Sequence, residues 1–280
     1  MGIHDLLPFL RKNVPNAFIK YDDSIPRRAA VDIPIFMYKF GFCVGTGKAL
    51  TERILSFGNE LRSRNIEPVF VFDGGRLPEK EKEKERRNAV AQRGRQIFEL
   101  KKSRLLFLGD IEIEVEDSCK PSCIPISEDY KAVHICLVEA GYDVKYAAFE
   151  GEALCSYLAY THQVDFVITE DSDCLAYLCP HLLLHWGTEK EEYILFDTIL
   201  AALNWTPDQF IDFCCLLGND FNDRIYKMGP EKSKVLITRH TNLECIAEQG
   251  HDMNPMLISR NIFKSFCHEM IINKDGPAPA

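Results

Sequence analysis

Seven acidic residues stand at positions from which they could act together. Asp32 closes the apolar run Ala29-Ala30-Val31, and Asp73 closes Pro68-Val69-Phe70-Val71-Phe72. Asp171 and Asp173 follow a third such run in DFVITEDSD. Glu150 and Glu152 lie in FEGEAL at a strand-to-helix junction, and Asp220 lies in LLGNDF between helical stretches. An aspartate after a buried strand often does no more than cap the next helix. Three of them together point elsewhere, because ligands of an open parallel sheet gather beyond the carboxyl ends of its strands. Carboxylates brought together there repel one another unless cations lie between them. The donors are all oxygen, with no paired histidine or cysteine, which selects hard ions such as Mg²⁺ or Mn²⁺. Two such ions about 4 Å apart suit hydrolysis of a phosphodiester.

Strands and helices in alternation must carry these residues. A helix is expected from Asp5 to about Asn13, then a buried strand ending at Asp32. Helices follow at Ile35 to Gly41 and Leu50 to Arg64, and a strand at Pro68–Phe72 meets the Gly74-Gly75 turn. A helix at Ser127–Ala140 leads to a strand at Asp143–Ala148, a helix from about Glu150 and a strand at Asp165–Thr169. Further strands are expected at Leu182–Trp186 and Tyr193–Phe196, and helices at Pro207–Leu217 and Pro230–Arg239. Residues two apart do not share a helix face. Glu150 and Glu152 therefore both face inward only if Glu150 lies at or before the first turn. The pattern predicts an α/β fold with a mostly parallel central sheet flanked by helices. It reads as a single domain over 1–272, with a charged excursion at 76–126 and a disordered tail at 273–280.

Bulk properties narrow the choice. A hydrophobic content of 46% over 280 residues is enough for a full core. No apolar run is long enough to span a membrane, and MGIHDLLPFLRK lacks the pattern of a secretory signal. The eleven cysteines are scattered and odd in number, and are read as reduced thiols of an intracellular protein. Cys119 and Cys123, four apart in SCKPSC, are the only close pair in a polar loop, without the further ligands a zinc site needs. A net charge of -9 argues against indiscriminate coating of nucleic acid. The charge is unevenly spread, however. Residues 76–104 carry eleven Lys/Arg against five Glu, whereas 108–129 carry seven Asp/Glu against one Lys. A local basic stripe is what a phosphate backbone meets.

Six segments, in order, resemble the motifs of the flap endonuclease/xeroderma-pigmentosum-G-like family of structure-specific 5′ nucleases. They are MGIHDLLPFL, AAVDIPIFMY, PVFVFDGGRLP, FEGEALCSYL, TEDSDCLAY and LLGNDFNDRIYKMGPEKS, and the match runs over about residues 1–240. The resemblance implies a PIN-like 5′ nuclease fold with a helical arch or gateway at 76–126 and a helix-two-turn-helix at 207–240. It implies that Asp32, Asp73, Glu150 and Glu152 hold chiefly one Mg²⁺, while Asp171, Asp173 and Asp220 complete the site of a second. Lys80 and Arg87 would reach the scissile phosphate. Their spacing of seven independently puts them on one helix face, where they could stabilise transition-state charge. Tyr38 would stack on a nucleobase. Gly2 would lie near the DNA once Met1 is removed. Lys227, Lys232 and Lys234 would contact phosphates, and the carbonyls of Arg224, Ile225 and Met228 would coordinate K⁺.

The activity so implied is metal-dependent hydrolysis of DNA near single-strand/double-strand junctions, giving a 5′-phosphate and a 3′-hydroxyl, in replication, repair or recombination. The partner would be branched or nicked DNA with a 5′ single strand, engaged by a monomer. Departures from the family's pattern are specific. Phe221 replaces a tyrosine, and the Gly-x-Gly turn reads Lys227-Met228-Gly229, so a different turn backbone is expected there. The chain between Asp32 and Asp73 is short where part of the 3′-flap pocket is built. No sliding-clamp motif is seen, and the compact length is read as that of a minimal, viral member. The competing readings are a ribonuclease on the same scaffold, an inactive structure-selective DNA-binding protein, and a phosphatase using Asp73 as nucleophile. The phosphatase would need a second aspartate where the chain has Gly75.

Overall fold

Apolar runs rich in β-branched and aromatic residues become strands wherever helices cover both of their faces. The computed structural model describes residues 2–75, 78–80, 85, 124–248, 250 and 252–266. The strands are β1 (Phe18–Ile19), β2 (Arg27–Asp32), β3 (Ile66–Phe72), β4 (Asp143–Tyr146), β5 (Phe166–Ile168), β6 (His181–Leu184) and β7 (Glu192–Leu195). They form one seven-stranded sheet in the order β1-β7-β6-β5-β2-β3-β4. The pairs β4–β3, β3–β2, β2–β5 and β5–β6 are parallel, and β7 and β1 add an antiparallel edge. The sheet is thus mixed and mostly parallel. The register sets Val31 beside Phe70 on one side and Ile168 on the other, so three adjacent strands end at one level.

Alternate residues of these strands feed two cores, as a period of two requires. Ala30, Val69, Val71 and Val167 join α1 (Leu6–Asn13), α5 (Gly151–Tyr160), α6 (Asp173–Ala176), α7 (Phe196–Leu203) and α8 (Pro207–Leu217) on one face. Ala29, Val31, Phe70 and Phe72 meet α2 (Ile33–Val44), α3 (Lys48–Ser63) and α4 (Ser127–Glu139) on the other. Beyond α8 come α9 (Pro230–His240), α10 (Leu243–Ala247) and α11 (Asn254–Phe266), the last packed on α8 and α5.

Several boundaries differ from the sequence reading, for local reasons. α2 starts two residues early because Pro34 suits the first helical turn, and it stops at Gly45 with φ 83°. β4 ends at Tyr146 rather than Ala148, because the Gly74 and Gly75 N–H groups take the carbonyls of Phe149 and Ala148 at 2.8 and 2.7 Å. Phe196 opens α7 instead of ending β7. β1 is only two residues long and shows no periodicity to read. α8 falls where expected, and a Thr206–Gln209 capping box starts it. Most of the 76–126 excursion, the tail, and the Cys119/Cys123 pair lie outside the described residues. The described cysteines are all free.

Candidate metal centre

The sheet delivers the acidic residues to one end. Asp32 is the last residue of β2 and Asp73 follows β3 directly, while Asp171 and Asp173 lie just past β5. These are the three adjacent central strands. Asp32 precedes α2 yet makes no capping hydrogen bond to it, so its carboxylate is left for another purpose. Its Oδ2 instead accepts from Thr169 Oγ1 at 2.7 Å. Asp73 Oδ1 accepts from the Gly151 N–H at 2.9 Å, tying β3 to the start of α5. Glu150 is the N-cap of α5 with extended backbone (φ -88°, ψ 126°), and Glu152 lies in its first turn. This is the placement required for both to face inward. The N-termini of α2 and α5 add favourable dipole ends to a negative site.

Each carboxylate acts on others of the set. Burial pushes Asp32 well above the usual carboxylate range, and Glu152, Asp73 and Asp171 add to the push. Asp173 is driven up by burial, then by Asp171 and Asp220. Asp171 is raised to about 6 by burial and by Glu152 and Asp220, against a hydrogen bond from the Asp173 N–H at 3.0 Å. Glu150 is raised to about 7 by burial, which Lys80 opposes and Glu152 and Asp73 reinforce. All seven carboxylates therefore belong to one electrostatic cluster.

Among the described residues, Lys80 answers them. The Lys80 ammonium bonds to Glu150 and lies 3.5 Å from Asp220 Oδ2. Burial alone would drive Lys80 down, but Glu152, Glu150, Asp220 and Asp173 hold it well above its ordinary range. Among the described residues, the Lys80 ammonium against seven carboxylates leaves the site strongly negative. Asp173 Oδ1 is buried without a hydrogen-bond partner. Among the described residues, no three His, Cys, Asp or Glu side chains are already spaced to hold a metal ion directly. Lys80 bridges Glu150 and Asp220. An excess of oxygen donors, an orphaned carboxylate oxygen and no soft ligand fit hard divalent cations.

Two glycines permit this crowding. A Cβ on Gly151 would come within 2.8 Å of Asp73 Oδ1. Gly2, at φ 94°, lies so close that a Cβ would sit 2.2 Å from Asp171 Oδ1. The Ile3 N–H donates to Ser172 Oγ at 2.9 Å, and the chain's amino terminus lowers Asp171. The amino-terminal segment is thus part of the site.

Tyr38 is half-buried on α2 and hydrogen-bonded to Tyr130 of α4, whose hydroxyl lies near Asp73 and Asp32. Arg87 falls outside the described residues. Lys227 is exposed, with Nζ 5.0 Å over the Tyr226 ring, and Lys232 is exposed as well. Lys234 turns toward α1 and donates to Asn13 Oδ1 at 3.3 Å. Lys227 takes φ 61°, the left-handed conformation glycine favours, so a turn of that kind forms here without a glycine.

Sequence reasoning missed the supports. Thr169 and Ser172 orient Asp32 and the amino terminus. Glu170 joins Lys39 of α2 at 2.5 Å and His185 after β6 at 2.9 Å, bracing the loop that carries Asp171. Their signal was proximity in sequence to Asp171 and Tyr38, which alone assigns no role.

The chain matches the family model described as the XPG N-terminal domain over residues 1–94, and the XPG I-region over residues 141–220. Flap endonuclease 1 of Ostreococcus lucimarinus is 30% identical over 276 residues, covering 89% of this chain and 68% of that protein. A probable RAD2-like endonuclease 369L of Invertebrate iridescent virus 6 is 25% identical, covering 91% and 74%. The catalytic core of Rad2 in complex with DNA substrate superposes with a TM-score of 0.64 at 24% identity, over 98% of this chain and 83% of that one. Flap endonuclease-1 from Methanococcus jannaschii gives 0.61 at 20% identity, over 88% and 80%. At these identities the structural likeness carries the fold.

Proposed function

Because this chain belongs to the flap endonuclease/XPG-like nuclease family, we propose that it is a structure-specific 5′ nuclease that hydrolyses DNA phosphodiesters near single-strand/double-strand junctions. The observation that carries the reading is the gathering of seven carboxylates, four from the ends of three adjacent strands, two from the start of α5 and one from the turn after α8, around the Lys80 ammonium. A protein that only bound DNA would gain nothing from such repulsion, since negative side chains also repel phosphates.

Asp32, Asp73, Glu150 and Glu152 would hold chiefly one Mg²⁺, and Asp171, Asp173 and Asp220 would complete a second site, with Mn²⁺ able to substitute. When bound, such ions lower the pKa of a coordinated water and offset charge on the phosphate and its leaving oxygen. Thr169 keeps Asp32 turned into the site, and the Gly151 N–H does the same for Asp73. Lys80 is held by Glu150 and Asp220. A phosphate oxygen offers its ammonium the same kind of partner, so Lys80 can pass from carboxylate to substrate without losing its charge. There it would stabilise negative charge on the scissile group, with Arg87 as its companion. Tyr38 would stack on a base beside the reacting phosphate, steadied by Tyr130. Gly2 would lie along the DNA. Residues 207–240 would grip the duplex through Lys227, Lys232 and Lys234. The products would be a 5′-phosphate and a 3′-hydroxyl.

The test is incubation with labelled flap, nicked, gapped and four-way DNA, and a matched RNA flap, in Mg²⁺ and in chelator. A cut near the junction is expected on DNA, absent in chelator and in Asp171→Ala. Equal cutting by Asp171→Ala would remove the carboxylate cluster from the mechanism. Preference for the RNA flap would favour a ribonuclease on the same scaffold.

A further inference from the structure

The turn between α8 and α9 is where family resemblance implies a potassium ion, held by the carbonyls of Arg224, Ile225 and Met228. The residues present do not suit one. A monovalent metal ion needs several oxygens turned toward it and little competing positive charge. The Ile225 carbonyl already accepts the Met228 N–H at 3.0 Å. Arg224 brings a half-buried guanidinium to the same turn, paired to Asp5 at 2.7 Å. Lys227 adds a second cation over Tyr226. Of the acidic side chains nearby, Glu231 is committed to Lys12 at 2.7 Å.

A third cation is seated on the turn's backbone. Lys232, in the first turn of α9, donates from Nζ to the Lys227 carbonyl at 3.2 Å. Lys227 presents that carbonyl from a left-handed conformation, φ 61°, which is uncommon for a lysine. An ammonium on a turn carbonyl, five residues along the chain, supplies positive charge there as a bound monovalent ion would. It differs in being covalently tethered, so it cannot be washed out.

We propose that this chain dispenses with potassium in its helix-two-turn-helix, and that the Lys232 ammonium on the Lys227 carbonyl serves as the built-in monovalent cation. An ammonium has three N–H donors. One holds the turn, and two remain for a phosphate of the duplex, so a single group both braces the turn and meets the DNA. The proposal rests on the reading of 207–240 as the duplex-binding region.

The experiment compares wild type and Lys232→Met in chelator, at equal ionic strength of potassium, sodium or tetramethylammonium chloride. Binding to a fluorescent flap DNA is measured by anisotropy, and melting temperature is measured without DNA. Wild-type Kd values should agree within about two-fold across the three salts, and its melting temperature should not depend on the cation. Lys232→Met should bind at least about five-fold more weakly in tetramethylammonium, recover much of that loss in potassium, and melt higher in potassium than in tetramethylammonium. Wild-type binding that is five-fold tighter in potassium would overturn the proposal. So would a variant as tight as wild type, or one that is weaker and untouched by potassium. If neither protein binds DNA in any salt, the duplex-binding reading fails instead, and the melting comparison still decides the cation question. Lys232 is exposed, so the variant is expected to fold.

Discussion

Replacing Asp171 by asparagine should make the metal-free protein more stable while abolishing its activity. Asp171 is 3% exposed, and its carboxyl is raised from an ordinary 3.8 to about 6 by burial and by Glu152 and Asp220. A carboxylate with a raised folded-state pKa is a cost above that pKa, and the cost vanishes below the unfolded value. About two units at roughly 1.4 kcal/mol each give about 3 kcal/mol at pH 8, falling to about half of that by pH 5. Asparagine has the same shape. Its oxygen can still accept the Asp173 N–H, and its amide can donate to the neighbouring carboxylates. For a chain of this length, about 3 kcal/mol corresponds to roughly 5 °C in melting temperature. Thermal denaturation in chelator should therefore show Asp171→Asn melting about 5 °C above wild type at pH 8, with a smaller gap at pH 5. Added Mg²⁺ should stabilise wild type and close or reverse the gap, because binding to the folded state alone raises stability. A variant that melts at or below wild type in chelator at pH 8 would refute the claim that these carboxylates are mutually destabilising without cations.

Lys80→Met should lower kcat on a flap DNA by about 10²–10³ while changing Kd by less than about three-fold; an equal loss in Kd would mean the ammonium merely attracts DNA. The same variant should melt lower than wild type in chelator, because removing one partner from a buried ion cluster typically costs about 3–5 kcal/mol. In Gly151→Ala the new methyl would stand within 2.8 Å of Asp73 Oδ1, so a cost of about 1–3 kcal/mol is expected. Cleavage by that variant should need more Mg²⁺, and an unchanged Mg²⁺ titration would separate Asp73 from the metal. Away from the site, Arg260 lies 3.5 Å from buried Asp212, whose carboxyl burial still pushes up to about 6. Arg260→Met should raise that pKa further and destabilise the fold at pH 8 more than at pH 5, since protonation below the folded pKa relieves the uncompensated charge. Equal losses at both pH values by thermal melting would place the effect in packing instead.

The positions of four of the carboxylates could be read from the chain because they follow apolar runs with the length and composition of buried strands. Asp32 after Ala29-Ala30-Val31 and Asp73 after Val69-Phe70-Val71-Phe72 are local patterns, and local patterns survive without a fold. The Glu150/Glu152 spacing even required a helix to begin between them, and α5 begins at Gly151. What no local pattern contains is strand order. Only the sheet places β5, β2 and β3 side by side and brings Asp171 to Asp32, far away along the chain, a relation set by hydrogen bonding between distant segments. The supports were hidden for the same reason. Thr169 donating to Asp32, Ser172 receiving the Ile3 N–H, and Glu170 linking Lys39 to His185 are contacts between segments far apart in sequence. The turn after α8 shows the limit from the other side. Replacement of a glycine by Lys227 suggested an altered backbone, yet that lysine takes positive φ and its carbonyl accepts from Lys232. Composition and spacing determined which groups were available and which chemistry they favour; the tertiary fold decided which of them share a volume small enough for charge on one to be felt by the next.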